Sequence, residues 1–186
     1  MRIISGSLRG TRLYTLEGLS TRPTLDRIKE SFFNIIQCKI YGSIVLDLFS
    51  GSGAIGIEFI SRGAEKAILC DNSSKAIKII NKNIEKTNVK DKIILMNKDY
   101  IKALQQLQHQ RYKFDIIYID PPYETNFAIT AIERIYEFSL LSEDGIIIIE
   151  TDDEEKIKSD LKDFKFSIYD IRKYGRIRLI FLKRKG

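Results

Sequence analysis

The chain has 186 residues, 44% hydrophobic and 30% charged, with a formal net charge of +6. Two small independent domains are less economical than one well-packed unit at this length, and no apolar run approaches the ~20 residues of a membrane span. The two cysteines, Cys38 and Cys70, form no disulfide framework or metal-ligand pattern, and the single histidine, His109, sits in a polar run, which argues against His-based catalysis.

In chain order, residues 2–5 and 11–14 read as short strands of a hairpin around Gly6 and Gly10. Thr24 is a fair N-cap for a helix running to about Ile36, with Leu25, Ile28, Phe32, Ile35 and Ile36 on one face. An alternation follows. Ile44–Leu48 reads as a buried strand, Ala54–Ser61 as a helix, Lys66–Cys70 as a strand and Ser74–Lys86 as a helix. Lys92–Met96 is a strand, Tyr100–Leu107 a helix, Phe114–Ile119 a strand, Ala128–Phe138 a helix and Gly145–Glu150 a strand. A short acidic helix near 153–162 precedes two strands, near 165–171 and 176–183, that meet at Tyr174-Gly175. Strands that alternate with helices and are apolar almost throughout belong to a mostly parallel sheet covered on both faces. A closing pair without a helix makes the last strand antiparallel. The expectation is one doubly wound α/β domain over 1–186, with 1–22 as a basic N-terminal hairpin extension.

Asp47 ends the first core strand, and Phe49-Ser50-Gly51-Ser52-Gly53 carries the chain into a helix. Glycines there allow a tight turn and a close approach of backbone N–H groups to a ligand, at the strand end where doubly wound sheets bind. Gly51-x-Gly53-x-x-Gly56, with Asp71 about 20 residues on, also fits a dinucleotide fingerprint. Asp47 argues against a pyrophosphate, which it would repel. Its carboxylate suits the methionine ammonium of S-adenosylmethionine, which carries no phosphate. Asp71 fits a ribose diol with either cofactor, and Asp99 is placed to accept from an adenine amino group. The bland reading is a tight turn at Gly51 and Gly53 and a helix cap at Asp99.

Asp120-Pro121-Pro122-Tyr123 closes the apolar run Phe114–Ile119. The two prolines stiffen the backbone and offer no competing N–H. The Asp120 side chain and the Pro121 carbonyl can then accept both protons of one NH2 group. A nucleobase amine is a poor nucleophile because its lone pair is delocalised into the ring. Fixing both protons favours a pyramidal nitrogen with that pair aimed at a sulfonium methyl. Tyr123 would stack on the extruded base. The competing reading is a strand-ending turn with a surface aromatic.

The charge is unevenly spread. Residues 172–186 carry seven basic side chains and no acidic one, and the first thirty add Arg2, Arg9, Arg12, Arg22, Arg27 and Lys29 against three acids. If the fold brings these ends together, they form one polyanion-binding surface, for which Arg9, Arg12, Arg22, Arg27, Arg176 and Arg178 are the candidates. A solvated basic surface is the alternative.

Three segments together resemble the bacterial 16S rRNA guanine-N2 methyltransferase family: Arg22-Pro23-Thr24-Leu25-Asp26-Arg27-Ile28-Lys29-Glu30-Ser31-Phe32-Phe33-Asn34, Asp47-Leu48-Phe49-Ser50-Gly51-Ser52-Gly53-Ala54-Ile55-Gly56-Ile57-Glu58, and Asp120-Pro121-Pro122-Tyr123. The last two are shared with many amino-methyltransferases, and the Arg-Pro-Thr-x-Asp-Arg segment narrows the choice. The resemblance implies a Rossmann-like class I methyltransferase fold with a seven-stranded sheet. It also implies S-adenosylmethionine as donor and guanine of 16S rRNA, in the small ribosomal subunit, as acceptor. By position, Asp47, Gly51 and Gly53 would bind the methionine end, Asp71 the ribose and Asp99 the adenine, and Phe49 counts among the cofactor-binding residues. Asp120, Pro121 and Tyr123 match the catalytic loop. The entry Gly6-Ser7-Leu8-Arg9-Gly10-Thr11-Arg12-Leu13 has Thr11 where the family often has a second basic residue. A cytoplasmic protein is expected, since Met1-Arg2-Ile3-Ile4-Ser5-Gly6 lacks a signal-peptide apolar stretch and the two unpatterned cysteines suit a reducing compartment; a monomer without metal is the accompanying expectation.

Three rivals stand beside this. An adenine-N6 methyltransferase of DNA or RNA would use the same two loops, although the DNA enzymes usually add a target-recognition region. An NAD oxidoreductase leaves the Asp-Pro-Pro-Tyr loop unexplained. A non-catalytic RNA-binding assembly factor needs neither loop intact.

Overall fold

The computed structural model describes residues 1–16, 23–122, 126–161 and 165–185, and the backbone alone of residues 23–27. Arg22, Tyr123 and the Arg27 side chain therefore lie outside the described residues. Strands β1 (Ile44–Asp47), β2 (Lys66–Asp71), β3 (Ile93–Asn97), β4 (Phe114–Ile119), β5 (Leu141–Thr151), β6 (Phe166–Tyr174) and β7 (Ile177–Arg184) form one sheet in the order β3-β2-β1-β4-β5-β7-β6. Between and before them run α1 (Pro23–Ile35), α2 (Ala54–Ser61), α3 (Ser74–Thr87), α4 (Tyr100–His109), α5 (Phe127–Glu137) and α6 (Glu154–Asp160).

Strands β1 to β5 pair in parallel, as their helical crossovers require. β7 follows β6 through a tight reversal at Gly175 (φ 60°) and is antiparallel to both β5 and β6. One face of the sheet, with Leu46, Ile68, Ile117 and Ile147, is covered by α4 and α5 through residues such as Leu104 and Ile132. The other, with Val45, Leu69, Ile116, Tyr118 and Ile148, is covered by α1, α2 and α3 through Phe32, Ile57 and Ile80. Burial on both faces is why the strands lack polar alternation.

Most element bounds differ from the sequence reading by one to four residues, residues 2–5 and 11–14 meet in a single bridge rather than as two strands, and two of the shifts have a plain local cause. α1 starts at Pro23, so Thr24 is inside the helix; proline suits a first helical position, where its missing N–H costs nothing. β5 begins four residues early, at Leu141, because Leu141 pairs with Phe114 across an irregular register that resumes at Ile116 and Ile146. The polar Ser142-Glu143-Asp144 within that stretch hides the extension from a pattern search.

The N-terminal segment closes on itself at an Arg2–Arg12 bridge and is fastened to α2 by Glu58. This fully buried carboxylate accepts from the N–H groups of Ile4 (2.9 Å) and Ser5 (3.0 Å) and pairs with Lys29 (3.1 Å) and Arg62 (3.0 Å). A buried charge persists only with such partners. Lys29, counted above with the surface cations, is itself buried and spends its charge here. From this anchor α1 crosses the sheet: Phe32 stacks on Tyr118 (5.5 Å), and the Ser31 hydroxyl is hydrogen-bonded to that of Tyr174 at the β6–β7 turn. Among the described residues, no helix is long and apolar enough to cross a membrane.

Candidate active site

β1 lies between β2 and β4, with Asp47 opposite Leu69 on one side and Tyr118 on the other. The chain winds one way from β1 to β3 and the other way from β4 onward, so a crevice opens beyond the ends of β1 and β4. The glycine loop follows β1 and the Asp-Pro-Pro loop follows β4. The two loops singled out in the sequence are therefore neighbours.

Gly51 and Gly53 both take left-handed conformations (φ 55° and 75°), which side chains other than glycine's rarely adopt. A Cβ on Gly53 would stand 3.0 Å from Leu69 and 3.3 Å from Ile80, so packing also demands glycine there. A Cβ on Gly51 would meet nothing within 4 Å, so that glycine borders open space. The loop is held from behind: Ser50 N–H donates to the Cys70 carbonyl (2.9 Å), and Gly51 N–H donates to the Asp71 carboxylate (2.9 Å). Asp71 also accepts from Ser73 N–H (2.8 Å), so the residue assigned to the ribose braces the loop as well.

Asp47 is buried and accepts from Gly56 N–H at 3.2 Å. Burial pushes its carboxyl up to about 7, with the Gly56 bond opposing and the nearby Asp71 charge adding to the rise. Asp99 caps α4 by accepting from Ile101 N–H (2.9 Å). The thiol of buried Cys70 is pushed up to about 12 by burial first and then by Asp71, Asp47 and Asp99, a measure of how closely these carboxylates gather. A loop so acidic, with no basic residue between Asp47 and Gly56, repels a pyrophosphate and suits the cationic methionine end of S-adenosylmethionine. Phe49 turns to the α4–α5 side, against Tyr100 (5.2 Å) and parallel to Phe127 (6.3 Å).

Asp120 follows β4 and is partly exposed at the crevice. Burial around its carboxyl, then the charges of Glu150 and Asp47, hold it well above the usual carboxylate range. Pro121 is buried beside it, and a cleft of about 350 Å³ opens at the loop, lined by Pro121, Pro122, Glu150, Thr151 and the start of α6. Tyr118, one turn of the pleat before Asp120, donates its hydroxyl to Glu150 at 2.6 Å.

Neither Glu150 nor Asn83 figured among the candidate residues. Asn83 is fully buried on α3, accepts from Tyr14 N–H (2.8 Å) and donates to the carbonyls of Tyr14 (3.0 Å) and Ser52 (2.8 Å). Its signal was legible: an amide on the stripe Ile77, Ile80, Ile84, where the helix should be apolar. Glu150 could be found as a carboxylate ending an apolar core strand.

The basic candidates separate. Arg9 and Arg12 are exposed on the N-terminal segment, and Arg176 is exposed at the β6–β7 turn. Arg178 donates to the Gly175 carbonyl (2.7 Å) and pairs with Glu154 (3.4 Å), which Lys173 also reaches (3.3 Å). The C-terminal cations do not form one patch. Arg178 pairs in register with Thr151 at the crevice end of β5, whereas Lys183 pairs with Ile146 nearer its start. The hairpin carries Arg172, Lys173, Arg176 and Arg178 to the crevice and Lys183, Arg184 and Lys185 to the far end of the strands.

The fold and site define an S-adenosylmethionine-dependent methyltransferase. A family model described as Conserved hypothetical protein 95 matches residues 1–183. The chain is 36% identical over 186 residues, all of both chains, to YlbH of Bacillus subtilis, whose name assigns it provisionally to the rRNA methyltransferases. It is 33% identical over 158 residues to Ribosomal RNA small subunit methyltransferase D of Haemophilus influenzae, covering 84% of this chain and 81% of that one. Among solved structures, yhhF of Escherichia coli, provisionally described as a methyltransferase, superposes with a TM-score of 0.85 at 26% identity, over 100% of this chain and 98% of that one. The chain belongs to the family of ribosomal RNA small subunit methyltransferase D.

Proposed function

We propose that the protein transfers a methyl group from S-adenosylmethionine to the exocyclic N2 amine of a guanine in 16S rRNA of the small ribosomal subunit, acting as one domain over residues 1–186. The observation that carries this is the adjacency of β1 and β4, which sets the Asp47 glycine loop beside the Asp120-Pro121 loop. Two relatives, one named as a ribosomal RNA small subunit methyltransferase and one named provisionally as an rRNA methyltransferase, support RNA as the substrate class. S-adenosylmethionine, when bound, supplies an electrophilic methyl on a sulfonium. Asp47 holds the ammonium of its methionine end, Gly51 and Gly53 admit the chain closely, and Asp71 and Asp99 receive ribose and adenine. Phe49 closes the cofactor pocket on the α4–α5 side.

Asp120 and the Pro121 carbonyl accept the two amine protons, fixing the nitrogen with its lone pair toward the methyl. Tyr123 stacks on the extruded base, and the cost of unstacking is repaid in the pocket. The proton released on methylation passes to solvent through partly exposed Asp120 or is lost from the product amine directly. Arg12, Arg22, Arg27, Arg176 and Arg178 are assigned phosphate contacts, and Arg9, whose turn is fastened to Ser61 at the end of α2 remote from the crevice, is assigned at most a peripheral one.

The test is methyl transfer from labelled cofactor to 16S rRNA and to purified small subunits, with the product nucleoside identified by mass spectrometry. N2-methylguanosine is expected. N6-methyladenosine as sole product would keep the loop chemistry and overturn the acceptor. Absence of transfer with intact cofactor and RNA binding would leave an RNA-binding factor.

A further inference from the structure

We infer that Glu150 reads the ring position beside the amine that Asp120 holds, and so selects guanine over the other amino bases; this rests on the methyl-transfer reading above. β4 and β5 run parallel and in register, with Ile119 opposite Ile149, so the next residues, Asp120 and Glu150, emerge side by side. Along β5, Ile146 and Ile148 belong to the face covered by α1, and alternation puts Glu150 on that face, where Tyr118 also lies. The Tyr118 hydroxyl holds Glu150 Oε2 at 2.6 Å, and Phe32 stacks on the Tyr118 ring at 5.5 Å. The carboxylate is thus fixed from below by a packed aromatic pair. Glu150 shares the lining of the loop cleft with Pro121.

Every nucleobase amine offers two N–H groups, so Asp120 and Pro121 alone do not distinguish one base from another. The neighbouring ring atom on the Watson–Crick edge does. Beside the amines of adenine and cytosine stands a nitrogen lone pair, an acceptor. Beside the N2 amine of guanine stands N1–H, a donor. Two carboxylates side by side therefore match guanine, one on the amine and one on N1–H. Against adenine or cytosine, the Glu150 carboxylate would face a lone pair, and docking the base would repel it and strip its water with no new hydrogen bond in return.

The test compares 16S rRNA carrying guanosine with the same RNA carrying 2-aminopurine riboside at the methylated position, installed by ligation after that position is mapped. 2-Aminopurine keeps the amine but has a lone pair at N1. Wild-type kcat/KM should fall by about a hundredfold or more on 2-aminopurine. Glu150→Gln should lower activity on guanosine and shrink that ratio several-fold or more, because an amide can donate to N1. If Glu150→Gln does not fold, Tyr118→Phe keeps the ring stack, loosens Glu150 and should shrink the ratio less. Calorimetric S-adenosylmethionine affinity should stay close to wild type in either variant. A ratio unchanged in the folded variants, or a wild type indifferent to the two bases, overturns the role of Glu150. A product other than N2-methylguanosine on unmodified rRNA overturns the functional reading, and Glu150 with it. N2-methylguanosine together with an unmoved ratio removes Glu150 alone.

Discussion

Asn83 donates its side-chain amide to the carbonyl of Ser52 at 2.8 Å, tying the middle of the glycine loop to the buried face of α3. The same side chain holds both backbone groups of Tyr14, so the N-terminal segment and the cofactor loop share one anchor. Asn83→Ala leaves these groups unsatisfied. It should cost about 1–3 kcal/mol of stability in urea unfolding and weaken cofactor binding further than that loss explains. Unchanged calorimetric affinity in the folded variant would show that Ser52 holds its place without Asn83.

The two glycines of the loop should respond differently. Gly51→Ala meets no atom within 4 Å but takes a left-handed conformation (φ 55°), so a stability loss of about 1–2 kcal/mol is expected. In the proposed cofactor placement its methyl group enters the ligand side, and S-adenosylmethionine affinity should drop at least tenfold in a folded protein. Gly53→Ala adds contact with Leu69 and Ile80 to the same strain and should unfold at lower temperature than Gly51→Ala. Thermal melts with calorimetry on both variants check the order.

Asp47 gives the free protein a pH signature. Its carboxyl is raised from 3.8 to about 7, so the folded state binds the proton more tightly than the unfolded one. The protonated residue supports the fold at low pH, and that support is lost as pH rises through about 7. The cationic cofactor needs the carboxylate, so its affinity should rise over the same window with release of a proton. Asp47→Asn should flatten this dependence and lower affinity at pH 8. Calorimetry in buffers of different ionisation enthalpy counts the proton.

Asp120 should separate catalysis from binding. Asp120→Ala removes one acceptor from the amine, and methyl transfer should fall by roughly two orders of magnitude or more. Cofactor affinity should change little, because this side chain faces the acceptor. Wild-type turnover in the variant would remove Asp120 from the mechanism. Tyr123→Phe should be nearly silent if stacking is what matters, and Tyr123→Ala should mainly raise KM.

RNA affinity should fall steeply with salt, with log–log slope of about 0.7–0.9 per phosphate contacted. Arg176→Glu, at the crevice turn, should weaken binding and reduce that slope. Lys183→Glu with Lys185→Glu, at the far strand ends, should leave both nearly unchanged. Filter binding across a salt series distinguishes them, and equal losses at the two ends would mean that RNA wraps the whole hairpin.

The amino-acid sequence alone determined the alternation of elements, the apolar strands and the two loops at the ends of β1 and β4. Each of these is written in neighbouring residues: hydrophobic period, glycine and proline turn chemistry, and a carboxylate closing a strand. Lys29 and Asn83 show where that reading stops. The apolar stripe of α3 marks Asn83 as an amide out of place, but its partner Ser52 lies far along the chain, as Glu58 does from Lys29, and nothing local announces the buried lysine or names the loop that the amide braces. Only the tertiary structure decided that β4 pairs with β1, that Asp120 emerges beside Glu150, and that the β6–β7 hairpin parts the C-terminal cations between opposite strand ends. Strand order and register are set by pairing between distant segments, and that pairing is chosen by how the helices cover both faces of the sheet.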